Sequence, residues 1–194
     1  RSCSRPAITI LWCSCALCRT TAAARRFTTE TRVTLTATVN VRQATRADLP
    51  TLGRLGAILV RSHHDYDPQR FIAASSGTEE GYGSFLGTQI DEPDIVLLVA
   101  ERGDQVLGYA YAGVEGMDWM SLRGPAGVLH DLVVDPAYRQ QGVGRLLLDA
   151  TATLVKSMGA RQFVLYTAEL NDAAQRLFAG AGFRRTMVEM TRDI

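Results

Sequence analysis

From Val39 onward the apolar residues recur with two periods, and each change of period marks an element. Val39–Arg42 alternates apolar and polar positions, which predicts a short strand. Leu52, Leu55 and Leu59 then fall on one face of a helix. Thr45 and Asp48 are both N-cap residue types, and Asp48 is the better choice because it puts Pro50 in the first turn. That helix is expected to end near Arg61–His64. Glu79–Gln89 predicts a second, short helix, weakened by the glycines between 77 and 87.

Ile95–Ala100 is an apolar run of strand length, Arg102-Gly103-Asp104 a turn, and Gln105–Val114 a returning strand, so the pair reads as an antiparallel hairpin. Met117–Pro125 is a loop and Gly127–Val134 a further strand, closed by Asp135-Pro136. Gly142–Met158 is helical, with Leu147, Ala150 or Thr151, Leu154 and Met158 on one face and Gly159 as its C-cap. Gln162–Thr167 predicts a strand. Asn171 caps a helix to about Ala179 that buries Ala174, Leu177 and Phe178, and a last strand is expected from Gly182 through Met190. This order implies an α/β (α+β layered) fold, a mixed β-sheet flanked by helices.

Composition changes the picture mainly at the N-terminus. The 194 residues are 46% hydrophobic and 21% charged, ordinary for one globular domain. Residues 1–29 hold five arginines and no acid. Of 21 basic and 20 acidic residues, 16 and 20 therefore lie in 30–194, which carries about −4. Such a body disfavours a nucleic-acid partner and suits a cationic amine. All four cysteines, Cys3, Cys13, Cys15 and Cys18, precede residue 19, so the body has neither a disulfide framework nor a cysteine nucleophile.

Ala7–Leu17 is too short an apolar run to span a membrane and only loosely resembles a targeting signal. We read residues 1–37 as a leader or targeting-like extension, ending in the Thr-rich run Thr28–Thr38, and 38–194 as the domain. A cytoplasmic location is expected, without a membrane partner. Adjacent His63 and His64 do not converge as metal ligands do, and no metal is expected.

The chemistry lies in Leu132-Val133-Val134-Asp135-Pro136-Ala137-Tyr138-Arg139-Gln140-Gln141-Gly142-Val143-Gly144-Arg145. Here a strand passes through a glycine-bearing loop into a helix, whose unpaired N–H groups and dipole make an anion site. Gly142 and Gly144 would let a phosphate approach the backbone, with Arg139 or Arg145 adding charge. No Gly-Lys-Ser/Thr follows, so it is not a P-loop, and the glycine spacing is not that of a dinucleotide fingerprint.

This stretch resembles the GNAT superfamily of N-acetyltransferases. Arg139-Gln140-Gln141-Gly142-Val143-Gly144 matches its pyrophosphate motif Gln/Arg-x-x-Gly-x-Gly/Ala, and Asp135-Pro136-x-Tyr138-Arg139 is typical. Asn171 to Phe178, then Gly182-Phe183-Arg184, looks like the family's closing segment. The resemblance spans roughly 39–190. It implies a sheet splayed at its fourth strand, with acetyl-CoA as cosubstrate in the split. Backbone groups of Leu132, Val133 and Val134 would bond the pantetheine arm, Arg139, Gln140, Gln141, Gly142, Val143, Gly144 and Arg145 would hold the pyrophosphate, and Asn171 and Phe178 would lie near the cofactor.

It also implies direct attack of an amine, on a small molecule, peptide or protein, upon the thioester. Many members place a glutamate base on the fourth strand just before an acidic residue. Here that pair is His130-Asp131, with His130 the base or positioning residue. Strand alternation would turn the two to opposite faces. The family's usual tyrosine acid is replaced by Phe178, leaving Tyr166 as a weak substitute or water as the proton source. Met117, Trp119, Met120, Tyr66 and Tyr82 are acceptor-pocket residues on this view. Dimers are frequent in the family, so a homodimer is compatible with it. The alternative function is a non-catalytic acyl-CoA-binding sensor module, which would release no CoA thiol.

Overall fold

Two bulges set the faces of the central sheet. A computed structural model of the chain describes residues 38–194, so the expected leader and its four cysteines lie outside the described residues. The elements are β1 (Asn40–Gln43), α1 (Leu49–Tyr66), α2 (Thr78–Gln89), β2 (Ile95–Arg102), β3 (Gln105–Glu115), β4 (Ala126–Val134), α3 (Val143–Ser157), β5 (Phe163–Leu165) and α4 (Asp172–Gly180), with single 3-10 turns at Arg46–Asp48 and Pro136–Tyr138. The sheet runs in order β1-β2-β3-β4-β5. Its first four strands pair antiparallel and β5 joins β4 in parallel, so the sheet is mixed as expected.

The β2–β3 register slips between Ala100 and Glu101, leaving Leu107 as an extra residue on β3. The β3–β4 register slips between Tyr111 and Ala112, leaving His130 extra on β4. Each bulge reverses which residues face which side. One face carries Leu97, Val99, Tyr109, Tyr111 and Val133 against Leu52, Leu55 and Leu86 of α1 and α2. The other carries Leu98, Leu107, Ala110 and Leu129 against Val143, Leu147, Leu148 and Val155 of α3 and Phe178 of α4.

Of the glycines that weakened the α2 prediction, Gly83, together with Gly53 of α1, lets α2 lie on α1. A Cβ at Gly53 would stand 2.2 Å from the Glu79 carbonyl oxygen, and one at Gly83 3.0 Å from that of Leu49. The helix propensity lost at these positions is offset by close backbone packing. Asp48 holds the N-cap position of α1 but makes no side-chain capping bond. Its carboxylate accepts instead from Thr45 N–H (2.7 Å), Thr45 Oγ1 (2.9 Å) and the Arg42 guanidinium (2.8 and 3.0 Å). The arginine and the threonine hold its pKa down at about 2.

The expected last strand does not form. Gly182, at φ +90°, stops α4, and Phe183 N–H reaches back to the Phe178 carbonyl (3.0 Å). The Phe183 ring packs 5.6 Å from that of Phe163 and 5.9 Å from that of Phe178. Phe183 is thereby spent as a helix-stop contact, and β5, three residues long, offers little edge for the rest to join. No described helix is long and apolar enough to cross a membrane.

Candidate active site

β4 is paired on both sides only in its first half. Its parallel ladder to β5 runs from Gly127–Phe163 to Leu129–Leu165 and stops, while pairing to β3 continues to Val134. The sheet therefore opens from His130 onward, where the splay was expected. Asp135 N–H donates to the Leu107 carbonyl on the β3 side (2.8 Å). Alternation along the strand then turns the backbone groups of Val133 toward β3 and those of Leu132 and Val134 into the gap. Val133 is thus a correction: its backbone serves the ladder, and its side chain packs in the core under α1.

The gap leads to the loop before α3. Asp135 caps the turn by accepting from Ala137 N–H (3.0 Å) and pairs with Arg54 of α1 (3.0 Å). Gln140 and Gly142 both have left-handed backbones, φ +60° and +82°, a geometry that turns successive N–H groups toward one side as in anion-binding nests. Gly142 is the N-cap of α3 and offers no capping side chain, so the first N–H groups, on Val143, Gly144 and Arg145, have no partner within the helix. A Cβ at Gly142 would meet nothing within 4 Å, so the space above it is open to a ligand.

The charges around this loop are not those expected. Arg145 points along α3 to Asp149 through Nε (2.7 Å) and donates through Nη1 to the Gly180 carbonyl (3.0 Å), so two of its three guanidinium nitrogens are already engaged. Arg139 donates through Nε to the Val134 carbonyl (3.1 Å), and its terminal nitrogens have no partner among the described residues. Arg102, which sequence reasoning missed, reaches Gln141 Oε1 (3.2 Å) from β2. Its signal was the turn Arg102-Gly103-Asp104, read only as a hairpin.

The bulge brings His130 and Asp131 together. Strand alternation predicted opposite faces, but the extra residue leaves both lining one pocket of about 250 Å³ with Leu59, Val60 and His63 of α1 and Phe71 and Ile72 of the following loop. The His130 ring stacks on Tyr111 (4.9 Å, 31°), and Nε2 lies 3.1 Å from Glu115 Oε1. Glu115 is itself held by Arg123 (2.7 Å). Asp131 is buried, and its Oδ2 accepts from Tyr82 OH (2.6 Å) and Tyr109 OH (2.9 Å). Burial pushes the Asp131 carboxyl above its ordinary range against these two bonds, and burial beside Asp131 raises both tyrosine hydroxyls. Tyr82 was expected in the pocket. Instead its ring rests against Gly56 and its hydroxyl serves Asp131.

The Acetyltransferase (GNAT) family model matches residues 59–183, well over half of the chain. The chain belongs to the GNAT acetyltransferase family. A mycothiol acetyltransferase of Thermobispora bispora is 36% identical over 96 residues, which make up 47% of this chain and 31% of that protein. The match thus spans about a third of the length of the mycothiol acetyltransferases. A mutant BH1408 protein from Bacillus halodurans superposes with a TM-score of 0.71 at 19% identity, covering 80% of this chain and 99% of that one. The aminoglycoside N-acetyltransferase AAC(6')-Iy in complex with CoA gives 0.63 at 18% identity, covering 81% and 95%. At these identities the two structures speak for the fold.

The remaining expected residues of this GNAT domain fall in several places. Asn171 caps α4 by accepting from Ala174 N–H (3.1 Å). Phe178 is packed in the core, so its apolar ring serves the fold. Tyr166 is 65% exposed, with no hydrogen-bond partner among the described residues. Trp119, Met120 and Leu122 are exposed on a tight hairpin closed by Asp118 and Arg123, outside the pocket.

Proposed function

We propose that this chain transfers the acetyl group of acetyl-CoA to the primary amine of an acceptor. The observation that carries the reading is that three features follow one another from β4 into α3. The strand edge at Leu132 and Val134, where Arg139 already takes the Val134 carbonyl, runs through the turn into the open helix terminus at Gly142, and the His130–Asp131 pocket adjoins the same stretch of β4. A pantetheine arm carries amides that such an edge can pair, and its pyrophosphate suits the N–H groups of Val143, Gly144 and Arg145. The residues present therefore fit acetyl-CoA. Arg139 and Gln141 border the same loop.

When bound, acetyl-CoA would supply an activated acyl carbon that bonds to the amine nitrogen before its bond to sulfur breaks. His130 accepts the proton that the amine loses. Glu115 at Nε2 favours the tautomer that donates there, leaving Nδ1 with the free lone pair. The Leu132 N–H, turned into the gap, is available to the developing oxyanion. Phe178 has no proton to give, so the departing sulfur would be protonated from water. The cytoplasm supplies acetyl-CoA and is the compartment this reading implies.

The missing hydroxyl at Phe178 also favours a second reading, a module that binds acyl-CoA without turning it over. Calorimetric titration with acetyl-CoA, followed by loss of thioester absorbance over a panel of amines, separates the two. Thioester absorbance avoids interference from the four cysteines. Binding with turnover supports the enzyme, binding without turnover on any amine supports the module, and no binding refutes both.

A further inference from the structure

The pocket at His130 and Asp131 has a chemistry of its own. Asp131 Oδ2 is taken by the two tyrosine hydroxyls, while Oδ1 has no hydrogen-bond partner among the described residues. Asp131 lines the pocket although only 7% exposed. His63 Nδ1 lies 3.0 Å from the Leu59 carbonyl, which can only accept, so Nδ1 carries the hydrogen and Nε2 a bare lone pair. Of the lining residues one is a carboxylate, two are histidines, and none is Arg or Lys. The rest are Leu59, Val60, Phe71 and Ile72.

Resting on the acetyl-transfer reading above, we propose that the acceptor is a compact primary monoamine with an apolar body and no carboxylate, its ammonium held on Asp131 Oδ1. An ammonium has three donors and no acceptor, and a pocket that offers only acceptors matches it. The two tyrosines fix the carboxylate so that its second oxygen stays available, and an arriving cation favours its ionised form. The aliphatic and aromatic walls receive the carbon body, and about 250 Å³ is at the small end for a ligand site.

Two other amine classes fit worse. A free amino acid would bring its carboxylate into a pocket with no cation. Arg70, beside Phe71, is already bound through two nitrogens to Glu189. A polycation needs further carboxylates, and Glu115 is engaged by Arg123 and His130. A buried group left unpaired costs affinity, which makes both exclusions selective.

The test is acetylation of phenethylamine, isoamylamine, phenylalanine, spermidine and kanamycin by the full chain, followed as loss of thioester. The two monoamines should have kcat/KM at least about tenfold above the other three. Asp131→Asn should raise KM for phenethylamine by about tenfold or more while kcat changes less. Should that variant fail to fold, Ile72→Arg, at a position 79% exposed, gives a second reading by bringing a cation to the pocket rim. It should raise kcat/KM for phenylalanine relative to phenethylamine by about fivefold or more. Preference for phenylalanine, spermidine or kanamycin, or an unchanged KM in Asp131→Asn and an unchanged ratio in Ile72→Arg, overturns the proposal. Turnover of none of the five also overturns it. Calorimetry with acetyl-CoA then shows whether the cofactor groove fails with it, since only absent binding sinks that reading.

Discussion

Replacing Gly142 by Asn and by Asp separates backbone strain from charge at the helix terminus. Both residues tolerate the left-handed conformation better than other side chains, and a Cβ there meets nothing in the protein. Both variants should therefore fold, losing about 1 kcal/mol, or roughly 2–4 °C in Tm for a chain of this size. They are nearly isosteric and differ by one charge. A carboxylate about 5 Å from a pyrophosphate carrying two charges is repelled by roughly 1.7 kcal/mol even at the dielectric of water, and by more at an effective value near 20. The Asp variant should thus bind CoA at least about tenfold more weakly than the Asn variant at low salt. The gap should narrow toward 1 M salt, where the Debye length falls to about 3 Å. The assay is calorimetric titration of both variants with CoA at two salt concentrations. Equal dissociation constants for Asn and Asp at low salt would refute the placement of the phosphates at this loop.

Other consequences can be checked as directly. His130→Ala should lower kcat/KM for the preferred amine by about 10²-fold or more, with CoA affinity unchanged; a loss below about threefold makes His130 scaffolding. Gly56→Ala would place a methyl 2.2 Å from the Tyr82 ring and should cost about 1–3 kcal/mol of stability in thermal or urea unfolding, by displacing Tyr82 from Asp131. A stability within a few tenths of wild type would show that the ring moves freely. The Asp48 pKa, lowered from 3.8 to about 2, adds stability that is complete above about pH 4 and disappears as pH falls through 2. Wild type should exceed Asp48→Asn by about 2 kcal/mol at pH 6, the difference shrinking as pH drops from about 4 to about 2; a pH-independent gap would assign the effect to packing.

The turn from β4 into α3 was legible because its features are local: a strand end, Asp135-Pro136, two spaced glycines and an amphipathic helix all lie in one stretch. What failed was non-local. The destination of Arg145 depends on Asp149 one turn along and on the end of α4, and nothing in Arg139–Arg145 reveals it. Tyr82 was picked as an aromatic of the variable helical region, but its role comes from Gly56 one helix away and Asp131 at the sheet centre. The final strand was misjudged because Met187-Val188-Glu189-Met190 has a strand-like composition, while strand formation needs a partner edge that β5 is too short to supply. Gly83 misled in the opposite direction, since its cost in isolation is offset by the backbone contact with α1 that it allows.

The extra residue at His130 joins these observations. Without it, the ladder of β4 with β3 would run unbroken and the alternation of Leu129 would carry through to the end of the strand. With it, Leu129 and Leu132 face α3 alike, so the two intervening side chains, His130 and Asp131, both reach the α1 side. The same phase change turns the backbone of Leu132 and Val134 away from β3, just past the point where β5 departs at Leu165. One insertion thus exposes a strand edge and sets two ionisable side chains on one face. The two functions cannot be uncoupled by shifting register, because a slip that restored pairing would return one of the two side chains to the opposite face. The proposed cofactor edge and the proposed acceptor pocket meet at this point of β4 because they have a common structural cause.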